Sequence, residues 1–403
     1  MKKKEILFVI STLRCGGAEH ALVSLLQAMD YKKYNIDLLV LCETDMFYGD
    51  RVPKTVTIVE PDVSVRGVLE PTISNCWKCI RKGRWDIIFM HFKRIVENYA
   101  KNDKIGNNFW STYWKKYNTK IAGLNKQYDV AIGFLEGLSI YFCVDKVKAY
   151  RKIGWIHTNY KDSNQNLEMD EKYFDKLDYL VTMSCPASET LAKVFPNYSA
   201  KINTIYNILD EKEVVEHSLE VVEDLKEEFS GITIVSVGNV LPVKGYDMAL
   251  DVCDRLCKEG VDLRWIVVGR KDKAALLEKE IKLRKLENKF ILIGQREDPY
   301  KYMRLADIYV QCSRYEGFST TIREAKVLLK PIVATNCQGI SDQIRNQENG
   351  SLVDANVQSI YEGVWDLIYN PDKRKKYEKQ LEADRLSNDE KEKELKKLYC
   401  LLE

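Results

Sequence analysis

Short apolar runs separated by longer amphipathic stretches set the pattern of this chain. Glu5 to Ile10 is a nearly unbroken apolar run, and NIDLLVLC, TVTIVE, WDIIFMH, YDVAIGF, KIGWIH and YLVTMS follow it. A second series comprises TIVSVG, RWIVVG, KFILIG, DIYVQC and PIVAT. Apolar runs this short, bounded by turn residues, are the pattern of strands buried on both faces of a parallel sheet. Between them apolar residues recur at helical spacing, as in Ala18, Ala21, Leu22 and Leu25, or Ala249, Val252, Cys253 and Leu256. Strands alternating with helices predict an α/β fold with mainly parallel sheets. At 403 residues the chain exceeds one ordinary core, so two domains are expected. The strongly charged stretch EKEVVEHSLEVVEDLKEEF places their boundary between 208 and 228.

The most informative stretch is SRYEGFSTTIREA, Ser313 to Ala325. It follows the strand DIYVQC, and a helix is predicted to begin near Ser319 because Ile322, Ala325 and Leu329 share a face. Glu316 then lies in the strand-to-helix turn with Gly317 and Phe318, and Glu324 lies on the helix. Both carboxylates are expected to face one pocket at the carboxyl end of the sheet. The backbone N–H groups of Phe318, Ser319 and Thr320 are expected to point into the same pocket, as at other helix starts that bind anions. A nucleotide sugar carries both phosphates for such N–H groups and hydroxyls for the carboxylates.

Other candidates stand at strand ends. Gly16 and Gly17 in GGAE follow the first strand; they form either a tight turn or an opening for phosphates or acceptor, and the string is not GxGxxG. Lys244, in the loop NVLPVKG, is either a solvated lysine or a mobile point charge for a diphosphate. His157 ends the run KIGWIH, where α/β sheets place ligand-facing residues, or is a structural histidine. His91 ends WDIIFMH and is a weaker candidate, and His20 is read as solvated.

Charge and composition narrow the field. A net charge of +2 excludes a chain that is a polyanion binder throughout. The eleven cysteines sit mostly in apolar patterns, as reduced thiols of a cytosolic protein do. Cys76 and Cys79 form a lone CxxC without two further ligands at zinc spacing, and read as part of a helix core. The apolar run after MKKKE is short and reads as a first strand, not a signal peptide. No run approaches the roughly 20 apolar residues of a membrane span.

Taken in order, GGAE, WIHTNY (Trp155 to Tyr160), VSVGNVLPVKGYD, WIVVG, FILIGQRED and the E-x7-E pair Glu316/Glu324 resemble the retaining family-4 glycosyltransferases. That resemblance implies the GT-B fold: two Rossmann-like domains facing across a cleft, with a last helix crossing back to the first domain. The implied domains are 1–210 for the acceptor, 211–375 for the nucleotide sugar, and 376–403 as terminal helices. It further implies that Glu316, Lys244 and His157 serve the reaction. Gly16, Gly17, Asn239, Gln295, Arg296, Gly317, Phe318, Ser319, Thr320 and Glu324 are implied to bind the donor, with Gln295 and Arg296 at the nucleobase and Gly339 near the donor sugar. No cofactor or metal is expected; the donor is a nucleotide sugar, expected to be a UDP-sugar, and the acceptor a glycan or polyprenyl-diphosphate-linked sugar. The chain departs from the family at Asn239, where arginine is usual, leaving Arg14, Arg270, Arg314 and Arg323 as replacements. Two other readings remain: an inactive GT-B partner subunit, for which Asn239 speaks, and an epimerase or hydrolase of the same fold.

From Cys76 to Lys126 there are twelve Lys/Arg against three Asp/Glu, interleaved with Trp77, Trp85, Phe92, Tyr99, Phe109, Trp110, Tyr113, Trp114 and Tyr117. Such a segment is either a solvated helical face or a surface for an anionic membrane on the cytoplasmic side. No nucleic-acid fold motif accompanies it.

Overall fold

The computed structural model describes residues 2–43, 46–101, 109–158, 160, 166–225, 229–337, 339–386 and 390–403. The chain divides into two compact units, Met1–Ile208 with Glu392–Glu403, and Leu209–Lys391. The break falls just before the expected 210. Residues 376–391, expected to stand apart as terminal helices, belong to the second unit.

The first unit is a parallel sheet of β1 (Lys4–Ile10), β2 (Tyr34–Val40), β3 (Thr57–Ile58), β4 (Gln127–Gly133), β5 (Lys148–Ile156), β6 (Tyr179–Thr182) and β7 (Ile202–Thr204). Its order is β3-β2-β1-β4-β5-β6-β7. Ile6 of β1 pairs with Ile36 on one side and Val130 on the other. Alternate side chains of a strand point to opposite faces, and β1 buries both sets. Ile6, Phe8 and Ile10 pack with Leu22 and Leu25 of the helix Gly17–Ala28, and with Leu398, Leu401 and Leu402 of the helix Glu390–Leu402. Leu7 and Val9 pack on the other face with Val65, Val68, Cys79, Ile87 and Trp114. Each of those C-terminal leucines stabilises the first unit by about 1.5–3 kcal/mol through burial, which is why the end of the chain returns to it.

The run WDIIFMH, expected as a strand, instead opens the helix Trp85–Lys101. Its apolar residues follow a helical stripe as well as a strand run: Ile87 and Met90 are buried while Phe89 and Phe92 face outward. Short apolar runs do not distinguish the two by periodicity. His91 therefore ends no strand; its Nε2 lies 2.8 Å from the carbonyl of Gly67, tying this helix to the helix Val63–Leu69.

The second unit is a parallel sheet of β8 (Ile232–Val237), β9 (Leu263–Val268), β10 (Phe290–Gly294), β11 (Ile308–Gln311), β12 (Ile332–Thr335) and β13 (Ser351–Val353), in the order β10-β9-β8-β11-β12-β13. Ala249, Val252, Cys253 and Leu256 of the helix Tyr246–Lys258 pack on Ile234, Trp265 and Val310. Strand order reverses between β1 and β4 in the first unit and between β8 and β11 in the second. Ligands of such sheets bind at the carboxyl ends of the strands flanking that reversal.

Candidate functional site

At the carboxyl ends of β8 and β11 two of the predicted residues, Lys244 and Glu316, meet. The loop after β8 runs through a single 3₁₀ turn, Pro242–Lys244, and leaves it at Gly245 with φ +70°. A Cβ there would sit 2.1 Å from the carbonyl of Cys312, so only glycine lets the loop lie against the end of β11. That contact delivers Lys244 to Glu316: Nζ donates to Oε1 at 2.5 Å. The same Oε1 accepts Ser313 Oγ at 2.7 Å and Gln311 Nε2 at 3.0 Å, while Gln311 is held by Tyr309 OH at 2.8 Å. Among the described residues these side-chain hydrogen bonds to the carboxylate all fall on Oε1 and none on Oε2. A carboxylate so deeply buried is tolerated because it is both paired and hydrogen-bonded.

The helix predicted near Ser319 is Thr320–Val327, capped by Ser319, whose Oγ accepts the N–H of Ile322. It stops before Leu329, which has φ +55°, and Pro331 follows. Leu329 is thus not part of the buried helical face, which consists of Ile322, Ala325 and Val327. Glu324 is buried on this helix; burial, and then the charge of Glu324, push up the Tyr309 hydroxyl. One expectation is corrected: the N–H of Ser319 is not directed to a ligand, because it donates to the carbonyl of Gly339 at 3.3 Å. Gly339 itself (φ +82°) lies against the turn, where a Cβ would meet the carbonyls of Glu316 and Gly317 at 2.5 and 2.6 Å. The segment 339–343 forms turns.

Two of the four cations considered as replacements for arginine at 239 are engaged elsewhere. Arg314 binds Asp247 through both guanidinium nitrogens (2.8 and 2.6 Å) and the carbonyl of Pro242 (2.7 Å), stapling the Lys244 loop. Arg323 binds Glu390 at 2.7 Å. Arg296 binds Asp224 and Tyr302, and its Nη1 occupies the carbonyl of Gln295 at 2.8 Å. Arg296 therefore braces the loop after β10 and occupies one lone pair of the Gln295 carbonyl. Asn239 Oδ1 accepts the backbone N–H of Arg270 at 3.1 Å.

In the first unit a cavity of about 420 Å³ opens at the carboxyl ends of β1 and β4. Ser11, Thr12, Arg14, Glu70, Trp110 and Glu136 line it. Sequence reasoning missed Glu136; the available signal was an acidic residue two positions after the apolar run YDVAIGF. Burial raises the Glu136 carboxyl, and its Oε2 accepts the backbone N–H of His157 at 2.9 Å. The His157 ring lies against Phe134 and Trp155 with Nε2 buried, and burial holds it down at about 3. His20, read as solvated, is half-buried, and desolvation holds it down at about 4. Gly16 makes room within the protein, since a Cβ would strike the Glu19 carboxylate at 2.3 Å, whereas Gly17 faces open space.

A group that sequence reasoning also missed is His217, Glu220 and Asp298, whose ligating atoms lie within 4.8 Å of one another. His217 Nδ1 lies 2.8 Å from Asp298 Oδ2, and Lys301 lies 3.8 Å from Glu220.

Residues 215–383, within the second unit, match the family model of glycosyl transferases group 1. An N-acetylgalactosamine-N,N'-diacetylbacillosaminyl-diphospho-undecaprenol 4-alpha-N-acetylgalactosaminyltransferase of Campylobacter jejuni is 28% identical over 51% of this chain and 54% of its own. An uncharacterized glycosyltransferase of Haemophilus influenzae is 32% identical over 35% of this chain and 40% of its own. The chain thus spans about half the length of the curated relatives it matches. Among solved structures, Anabaena HepE in complex with UDP-glucose superposes over 98% of this chain and all of its own, with a TM-score of 0.66 and 14% identity. Staphylococcus aureus TarM covers 99% of each chain, with a TM-score of 0.67 and 13% identity. At such identities these neighbours establish the GT-B fold. The fold, the E-x7-E turn and the family match agree that this chain carries a glycosyl transferases group 1 domain at residues 215–383.

Proposed function

We propose that the protein is a retaining hexosyltransferase that moves a sugar from a UDP-sugar to a glycan or polyprenyl-diphosphate-linked acceptor in surface polysaccharide assembly. The observation that carries this reading is the Lys244–Glu316 pair at the strand-order reversal of the family-matched unit. In use, Lys244 offsets the charge of the departing diphosphate and the start of the helix Thr320–Val327 adds its positive end. Glu316, through Oε2, holds sugar hydroxyls beside the reacting carbon, and Glu324 holds the ribose. The bond from the anomeric carbon to the phosphate oxygen breaks, and the acceptor oxygen bonds to that carbon on the same face. The acceptor proton passes to the leaving diphosphate. Protein cations fill the role a metal would take, so transfer is expected to survive EDTA.

The relatives support this reading. HepE is solved with UDP-glucose, and the name of the C. jejuni relative contains a diphospho-undecaprenol-linked acceptor. Escherichia coli WclY, 28% identical over 36% of this chain, is named for O-antigen biosynthesis. The cavity beside Glu136 and His157 is assigned to the acceptor.

Among the described residues no helix is long and apolar enough to cross a membrane. The segment 76–126 presents Trp77, Trp85, Phe92 and Trp110 outward beside exposed Lys93, Lys115 and Lys116. Tyr113 and Trp114 are core residues, and the side chains of Tyr99 and Phe109 lie outside the described residues. We assign this surface to peripheral docking on the inner face of the cell membrane. The test of function is a thermal-shift screen against nucleotide sugars. A ligand that binds only the folded state raises Tm; a UDP-sugar is expected to do so, and a panel without any hit would reject the reading.

A further inference from the structure

We infer that Arg270 supplies the second cation for the donor's diphosphate, from the neighbouring strand end, in place of a basic side chain at position 239. This rests on the donor reading above.

The argument begins with charge. The charge of Lys244 is already paired before any ligand arrives, because its Nζ donates to Glu316 Oε1 at 2.5 Å. A nucleoside diphosphate brings more negative charge than one paired lysine offsets, so a second cation is needed near the end of β8. The residue there is Asn239, which is neutral. Arg314, Arg323 and Arg296 are each committed to a carboxylate at hydrogen-bonding distance or closer.

Arg270 differs. It follows Gly269 at the end of β9, the strand beside β8, and β8 and β9 run in register through Val237 and Val268. The two strand ends abut: a Cβ on Gly269 would sit 2.0 Å from the carbonyl of Gly238 and 2.9 Å from the N–H nitrogen of Asn239. The Arg270 backbone is fixed on both sides, its N–H donating to Asn239 Oδ1 at 3.1 Å and its carbonyl accepting the N–H of Val240 at 2.8 Å. Lys244 lies over the same point, with Cδ and Cε 3.6 Å from a Cβ built on Gly238. The guanidinium Nε is buried and has no hydrogen-bond partner among the described residues. That Nε makes only a long ion pair, 3.8 Å, with Oδ2 of the largely exposed Asp272. A planar donor fork held on a rigid backbone, with a buried N–H unspent, is suited to phosphate oxygens. Asn239 in this arrangement is the residue that positions Arg270.

The test uses the full chain and isothermal titration with UDP, GDP, ADP and dTDP, taking the nucleotide that wild type binds, together with its parent nucleoside. Arg270→Ala is expected to weaken the nucleoside diphosphate about tenfold or more and to leave the nucleoside unchanged. Arg270→Lys should recover part of the loss. The double variant Asn239→Arg with Arg270→Ala should recover most of it, since both positions meet at one point; a merely structural role for Arg270 would not be rescued from position 239. If wild type binds a nucleoside diphosphate and Arg270→Ala binds it equally, this inference fails and the donor reading stands. Equal weakening toward nucleoside and diphosphate also overturns it. If wild type binds none of the four, the donor reading itself fails and this inference with it.

Discussion

Glu316 and Lys244 are 72 residues apart in sequence, yet share one hydrogen bond. Each is legible alone, as a carboxylate in a strand-to-helix turn and a lysine in a loop. Their pairing is not, because it depends on Gly245 passing beneath Cys312. Glu316→Ala and Lys244→Ala are each expected to lower transfer by about 100-fold or more, the scale of a lost charge-stabilising contact, with circular dichroism unchanged; a folded variant with wild-type turnover would remove that residue from the mechanism. His157 was legible as a strand-end histidine, but not its ring packing on Phe134 and Trp155. Its folded value of about 3 lies below the roughly 6.5 of an unfolded histidine. The unfolded chain therefore binds more protons in that interval, and stability is lost as pH falls through it. His20, held at about 4, adds to the same trend. Asp170, raised by burial to about 6, works the other way, losing stability as pH rises from about 3.8 through 6. His157→Phe is thus expected to flatten the fall in Tm between pH 7 and pH 5, and an unchanged slope would contradict this assignment.

At the scale of elements, the parallel strands of both units were legible because buried strands read as continuous apolar runs. WDIIFMH failed for the same reason, since a helix with Ile87 and Met90 inward and Phe89 and Phe92 outward has the same composition. The turn carrying Glu316 was legible; its support from Gly339 was not, because nothing local to either residue reports a contact across the sheet end. Gly339→Ala must accommodate φ +82° and a Cβ 2.5 Å from the Glu316 carbonyl. The expected cost is about 1–3 kcal/mol, which for a domain of this size lowers Tm by roughly 2–4 °C per kcal/mol. An unchanged Tm would mean that the 339 loop does not brace the site.

At the scale of the whole molecule, charge is unevenly distributed: the net +2 of the chain conceals the basic surplus at 76–126. Sequence showed the surplus but not which aromatics face outward; burial separates Trp77, Trp85 and Phe92 from Trp114. Binding to liposomes is expected to require anionic lipid and to fall with salt, as screening shortens to roughly 3 Å at 1 M. It should fall again in Lys115→Glu with Lys116→Glu. Equal recovery with neutral and anionic vesicles, or none with either, would contradict membrane docking. The central claim is transfer with retention from a UDP-sugar. The most direct measurement is NMR of the product formed from an α-linked UDP-sugar and a polyprenyl-diphosphate-linked acceptor in excess EDTA. The account predicts an α-linked product; an inverted linkage, or a donor hydrolysed or epimerised with no transfer, would contradict it.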